Sequence, residues 1–229
     1  MLDSRFPRIP GDIGNPDTWN FPVRYAVVDG ATPKAVIFDD QNPLFEAFVE
    51  AGRDLVAKGC TGISTTCGFL APMRPKLAET LSVPVAASAL EQAAQIQMLL
   101  PAGKTLGILT ISRSSLTKDH LKAAKVPEAC PVGGVDGSSF ARSILGNEPT
   151  LDVDAARAEI AQAAVALQAA NPTLGAILLE CTNMVPYAPS VRAATGLPVY
   201  SIYSYLNWFY EGLAPTVFQE ARNQPSQKA

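Results

Sequence analysis

One histidine, four cysteines and no C-x-x-C pair are all that the 229-residue sequence offers as imidazole and thiolate metal ligands. Zinc sites gather several such residues at close spacing, so zinc chemistry is not expected. Cys60 and Cys67 stand across a predicted strand, about 20 Å apart at its rise per residue, too far for a disulfide. Cys130, in an apolar C-P-V-G-G-V run, reads as a small buried hydrophobe. No basic run exists, and 18 Lys/Arg against 21 Asp/Glu leave a net charge of −3. A nucleic-acid partner would call for a Lys/Arg stripe, so none is expected. The most apolar window, Val83–Leu100, is interrupted by Glu91, Gln92, Gln95 and Gln97, and no membrane span is expected. The start, M-L-D-S-R-F-P, lacks the apolar core of a signal peptide. These absences imply a cytoplasmic protein with free thiols and no membrane partner. What remains is ordinary for a globular chain, 48% hydrophobic and 17% charged, long enough for one large domain or two small ones.

The distinctive content is a repeat. T-G-I-S-T-T-C-G-F-L-A-P-M-R-P-K-L-A-E-T-L-S-V-P-V, from Thr61 to Val85, returns as G-A-I-L-L-E-C-T-N-M-V-P-Y-A-P-S-V-R-A-A-T-G-L-P-V, from Gly175 to Val199. One register aligns Cys67 with Cys181, Pro72 with Pro186, Pro75 with Pro189 and Pro84 with Pro198. In a chain with so few cysteines, these matches favour two copies of one unit over two unrelated strand–helix segments that share prolines.

Around the repeat, strands alternate with helices. Residues 1–22 are turn-rich, with an ordered loop expected. Val23–Val28 reads as a strand. Pro43–Lys58 reads as an amphipathic helix capped by Asn42 and closed by Gly59. Thr61–Thr66 is a buried strand, with a helix from about Pro72, a strand at Val83–Ala87 and a helix at Leu90–Leu100. After the break at Pro101–Gly103 come a strand at Thr105–Thr110, a helix from S-R-S-S to about Lys125, and a strand at Ala129–Val135. Further on, Ser139–Leu145 is a short helix, and Asp152 caps a long Ala-rich one. Leu174–Glu180 is the second cysteine strand, with a helix from about Pro186. A strand at Val199–Ile202 and a helix at Ser204–Leu213 follow, and residues 223–229 are expected to be loose. The pattern implies an α/β fold with two parallel sheets, one per half. Residues 1–101 with about 203–229 would form the first domain and 102–202 the second.

Both repeated cysteines fall at the carboxyl end of a strand, where open α/β sheets bind ligands. A following helix would stabilise a thiolate and hold a substrate carboxylate through its first N–H groups. Two such thiols facing one cleft suit a reaction in which one removes a proton from carbon and the other returns it on the opposite face. The alternative is that both are core thiols.

Paired strand–loop–helix units with cysteine, the second reading L-L-E-C-T-N, resemble the aspartate/glutamate racemase superfamily, which also holds hydantoin racemases, maleate isomerases and arylmalonate decarboxylases. The strand at Leu106–Thr110 and the pair Asp3-Ser4 add to the resemblance. It implies two Rossmann- or flavodoxin-like domains related by a pseudo-twofold axis, with the active site between them. It also implies a cofactor-free thiol/thiolate mechanism, and places Asp3 as a group orienting one thiol; a solvated terminal acid is the plainer alternative. In the amino-acid racemases the first Cys is commonly followed by Asn-Thr, where this chain has Gly68-Phe69. Thr182-Asn183 after Cys181 match better. The resemblance further implies a full strand ahead of Asp3, where only Met1-Leu2 stand, so a longer N-terminus is expected.

The expected activity is cofactor-independent inversion of the α-carbon of an amino acid or related small carboxylate, with Cys67 and Cys181 as acid and base. Gly68 and Phe69 would grip the carboxylate through backbone N–H groups. Thr182 and Asn183 would bind substrate or simply cap the helix, while Thr66, Asn15 and Thr110 would add polar contacts. Glu180 is expected to point away from Cys181 on strand alternation. His120 lies well inside a predicted helix, away from the strand tips. A hydantoin racemase, a maleate-type cis–trans isomerase with a covalent cysteine, and a non-catalytic carboxylate-binding protein are the competing readings. The aromatic run Tyr200–Tyr210 suggests helix packing or a homodimer contact.

Overall fold

A computed structural model describes residues 1–218. The tail at 223–229 and the end of the expected first domain lie outside the described residues. The helices and strands are α1 (Pro33–Ile37), α2 (Phe45–Ala57), β1 (Ile63–Ser64), α3 (Arg74–Leu81), β2 (Val85–Ala86), α4 (Ala93–Leu99), β3 (Thr105–Thr110), α5 (Lys118–Ala123), β4 (Val132–Gly134), α6 (Ser139–Leu145), α7 (Val153–Ala170), β5 (Leu174–Leu179), α8 (Ala188–Thr195), β6 (Val199–Ser201) and α9 (Ile202–Leu213). β1 and β2 pair in parallel, and β4-β3-β5-β6 form a second, all-parallel sheet. This is the expected α/β architecture with parallel sheets. Leu106, Ile108 and Leu109 of β3 and Ile177, Leu178 and Leu179 of β5 are fully buried, as befits strands covered on both faces. α7, held at its start by Asp152 accepting from the N–H groups of Asp154 and Ala155, lays Ala156, Ile160 and Ala164 into the core. No helix among the described residues is long and apolar enough to cross a membrane.

The repeat is reproduced residue for residue. Ile63 pairs with Val85 and Ser64 with Ala86; at the same offset, Ile177 pairs with Val199 and Leu178 with Tyr200. Each cysteine is followed by a 3-10 helix of six residues, Gly68–Met73 or Thr182–Tyr187, which runs into α3 or α8. Both units end on a left-handed residue, Ser82 (φ 56°) and Gly196 (φ 70°).

The helices therefore begin directly after the cysteines, ahead of the expected starts at Pro72 and Pro186. The missing N–H of Pro72 is made good for the Phe69 carbonyl by the side-chain amide of Gln41, at 3.0 Å. Val23–Val28 is not a strand. Val23 and Val27 are exposed, and Val28 makes an isolated parallel bridge to Leu2. Asn42 does not cap α2: its side chain turns to Asp40 and Asn42–Leu44 form a 3-10 turn. The helix expected from S-R-S-S shrinks to α5, because Asp136 accepts from the Arg113 N–H and the Ser112 and Ser114 hydroxyls and holds that stretch as a loop.

The helix after each short sheet edge packs away from its own sheet. α4 leaves β2 and lies against β3, where the Gln97 side chain accepts from the Leu106 N–H. In the other direction α9 leaves β6 and brings Phe209 and Leu213 against Gly62, just ahead of β1. The Gln92 amide donates to the Ser201 carbonyl and the Tyr205 hydroxyl to Glu91, tying the two crossings together. Most of the aromatic run is spent here: Tyr203 stacks on Trp19 and Tyr210 on Phe21.

Candidate active site

The two cysteine loops meet. Cys67 and Cys181, each the cap of its 3-10 helix, line one small cavity together with Thr66, Gly68, Phe69, Glu180, Thr182 and Asn183. The loops are joined directly, since the Thr182 hydroxyl donates to the Thr66 carbonyl at 2.9 Å. Leu2 and Phe6 from the N-terminal loop, Ile37 at the end of α1 and Ile144 of α6 close the cavity with apolar surface. The remaining space is about 20 Å³, room for a single water-sized molecule. A substrate therefore has to displace part of this wall.

Of the side chains expected to bind substrate, Thr66, Thr182 and Asn183 are buried against the cavity, as are the loop residues Gly68 and Phe69. Thr66 also accepts from the Leu2 N–H, fixing the N-terminal loop over the site. Asn183 links the thiol to that loop. Its Oδ1 lies 3.7 Å from Cys181 Sγ, and its amide donates to Asp12 Oδ2 at 2.6 Å. Asp12 is in turn held by Arg8 at 3.0 Å and by the Gly14 N–H at 2.7 Å. Thr110 stands just outside the cavity and donates to Glu180. Asn15 faces the loop interior, donating to the Arg8 carbonyl and capping the turn at Asp17. Asp3 meets the Gly30 N–H at 3.4 Å and contacts neither thiol. His120 lies behind the site, its ring edge-on to Phe69 at 5.1 Å.

Glu180 is the residue that strand alternation misplaces. β5 stops at Leu179 and the chain turns at Cys181, so the alternating rule lapses one residue too early for it. Its carboxylate lies on the cavity wall and is fully buried. Oε2 accepts from the Thr110 hydroxyl at 2.7 Å, while Oε1 has no hydrogen-bond partner among the described residues. Oε1 is pressed against Gly68, where a Cβ would stand 2.0 Å from it. Only glycine fits after Cys67 for that reason.

Burial governs the ionisation of all three groups. It pushes the Cys67 thiol up to about 12, with the Glu180 carboxylate adding to the effect; the Phe69 N–H and the Arg8 charge pull the other way. Cys181 is held well above its ordinary value, first by burial and then by Glu180, with Cys67 and Asp12 adding and the Asn183 N–H opposing. Glu180 is pushed up to about 7 by burial, against the Thr110 hydrogen bond. The N–H groups at the helix starts thus act on the sulfurs as expected, but desolvation outweighs them.

No family model matches the sequence. Over 220 residues the chain is 30% identical to a dimethylsulfoniopropionate lyase of Durusdinium sp. clade D, covering 92% of this chain and 72% of that protein. The chain belongs to the dimethylsulfoniopropionate lyase family. It is also 32% identical over 228 residues to dimethylsulfoniopropionate lyase 7 of Emiliania huxleyi (strain CCMP1516), covering 93% of this chain and 65% of that longer protein. Among solved structures, an allantoin racemase from Klebsiella pneumoniae superposes with a TM-score of 0.58 at 19% identity, over 82% of this chain and 77% of its own. A mutant arylmalonate decarboxylase in a sulfate-associated form follows with 0.53 at 18%, over 82% and 81%. At such identities the likeness is one of fold. This lyase-family chain shares with them an α/β fold built on parallel sheets.

Proposed function

We propose that this chain is a cofactor-independent lyase that cleaves dimethylsulfoniopropionate by β-elimination. The observation that carries this reading is the meeting of Cys67 and Cys181 in one buried cavity, at equivalent positions of a repeat, in a chain of the lyase family. A thiolate takes a proton from the carbon beside the carboxylate, the electron pair forms the new double bond, and the carbon–sulfur bond breaks. The products are dimethyl sulfide, acrylate and one proton, so charge and atoms balance. The reaction needs a dry pocket, because an anion beside a carboxylate is stabilised best where donors are fixed and water is excluded. The N–H groups of Phe69 and Asn183 favour the anionic form of the Cys67 and Cys181 sulfurs. The second thiol remains protonated and donates toward the substrate carboxylate as charge builds there.

A second reading is inversion of a small carboxylate's α-carbon, favoured by the equivalence of the two thiols. Elimination from dimethylsulfoniopropionate creates and destroys no stereocentre, and one base suffices for it. Inversion requires both thiols as proton carriers. The purified protein is incubated with dimethylsulfoniopropionate and the headspace is assayed for dimethyl sulfide. Release is expected, with Cys67→Ala and Cys181→Ala each lowering it by at least about a hundredfold, the scale of positioned acid–base groups. Absence of dimethyl sulfide, together with loss of optical rotation or deuterium uptake from D₂O in a panel of chiral amino acids and hydantoins, would replace the lyase reading with the isomerase one.

A further inference from the structure

Both thiols are neutral at ordinary pH, so a thiolate base has to be made inside the cavity. Sending the proton to solvent while Glu180 is ionised would leave two negative charges in a space of about 20 Å³, walled by Leu2, Phe6, Ile37 and Ile144. Uncompensated buried charge of that kind is strongly disfavoured. Moving the proton from sulfur to Glu180 leaves the cavity with one negative charge before and after. The chain places that carboxylate against both cysteine loops: it directly precedes Cys181, and its Oε1 rests on Gly68, which directly follows Cys67. Oε1 is buried and has no partner among the described residues, so it is open to a proton, while Thr110 holds Oε2 at 2.7 Å.

We propose that Glu180 is the positioning residue that takes up the proton of the reacting thiol, so that a single negative charge is passed between carboxylate and sulfur. The proposal rests on the thiol proton-transfer reading above. In the first step, the S–H bond breaks and an O–H bond forms at Glu180, the proton crossing by way of the one water that the cavity has room for. The thiolate then takes the substrate proton and becomes a thiol again, and the products depart. Glu180 gives up its proton to water when the site opens, accounting for the one proton released per turnover. The titratable groups facing Glu180 across the cavity are Cys67 and Cys181. Arg8 and Asp12 lie outside the cavity lining, paired with each other, and His120 stands behind Phe69.

The test reads thiolate directly and uses no substrate. The unmodified protein, Glu180→Gln and Thr110→Val are treated with iodoacetamide from pH 5 to pH 10, and alkylation of Cys67 and Cys181 is quantified peptide by peptide. In the parent protein the rate at the reacting thiol should rise through neutral pH as Glu180 ionises, then level off. In Glu180→Gln the levelling-off should vanish, leaving a rate that climbs about tenfold per pH unit throughout, as thiolate does below its own pKa. Thr110→Val keeps the carboxylate but loses the hydrogen bond that favours its charged form, so the levelling-off should move to higher pH. A levelling-off near neutral pH that persists in Glu180→Gln would overturn the proposal, as would an unmoved one in Thr110→Val, which decides the matter should the Gln variant not fold. A parent protein that shows the levelling-off but releases no dimethyl sulfide would refute the lyase reading alone.

Discussion

The hydroxyl of Thr182 reaches 2.9 Å to the carbonyl oxygen of Thr66, and through it the residue after one cysteine holds the residue before the other. Both partners are buried, so the bond cannot be replaced by water without reorganisation. Thr182→Val should cost about 1–3 kcal/mol, the range for leaving a buried acceptor unpaired. Thr182→Ser should cost much less. Chemical denaturation of the three proteins checks this. A larger loss for Ser than for Val would mean that the methyl group, and not the tether, is what matters.

Gly68 has no room for a side chain. A Cβ would stand 2.0 Å from Glu180 Oε1 and 2.8 Å from the Glu180 carbonyl oxygen. Gly68→Ala should therefore displace Glu180, cost about 1–3 kcal/mol as an overpacked core does, and lower turnover. A stable and fully active Gly68→Ala protein would show that the Cys67 loop moves aside freely.

Glu180 also sets a pH dependence of stability. Its folded value of about 7 stands above the ordinary 4.5, so the folded protein holds this proton more tightly than the unfolded chain does. The contribution is complete below about pH 4.5 and is lost as pH rises toward 7. At about 1.4 kcal/mol per unit it is on the order of 3 kcal/mol. Glu180→Gln carries no such proton, so its stability relative to the parent should improve by that order between pH 5 and pH 8. Urea titrations at both pH values measure the difference. A gap between the two proteins that does not change with pH would remove Glu180 from the account.

Ser82 and Gly196 hold the same left-handed place in the two copies, but only the second copy uses glycine. A non-glycine residue there costs about 1–2 kcal/mol, partly offset by glycine's greater freedom when unfolded. Ser82→Gly should gain about 1 kcal/mol, read as a higher melting temperature.

The repeat was legible in the sequence because cysteine and proline each mark a place where backbone geometry is constrained. The register of Ile63 with Val85 and of Ile177 with Val199 follows from the same offset that aligns the cysteines. Glu180 was not legible. Its place depends on where β5 ends, and a shift of one residue turns its side chain from the far face to the cavity. Leu2 and Phe6 were equally hidden, because a turn-rich segment has no period from which to read the side it presents. Val23–Val28 has the composition of a strand, but composition does not supply the neighbour a ladder needs.

The crossing of α4 and α9 bears on how the molecule comes apart. Each copy of the repeat is roofed by the other's last helix, so neither carries a complete apolar core of its own. Severing the chain at Pro101–Gly103 would leave two fragments with uncovered faces, prone to rejoin or to aggregate. Heating should accordingly melt both sheets in one cooperative step, and the cavity holding the two sulfurs should disappear in that same step.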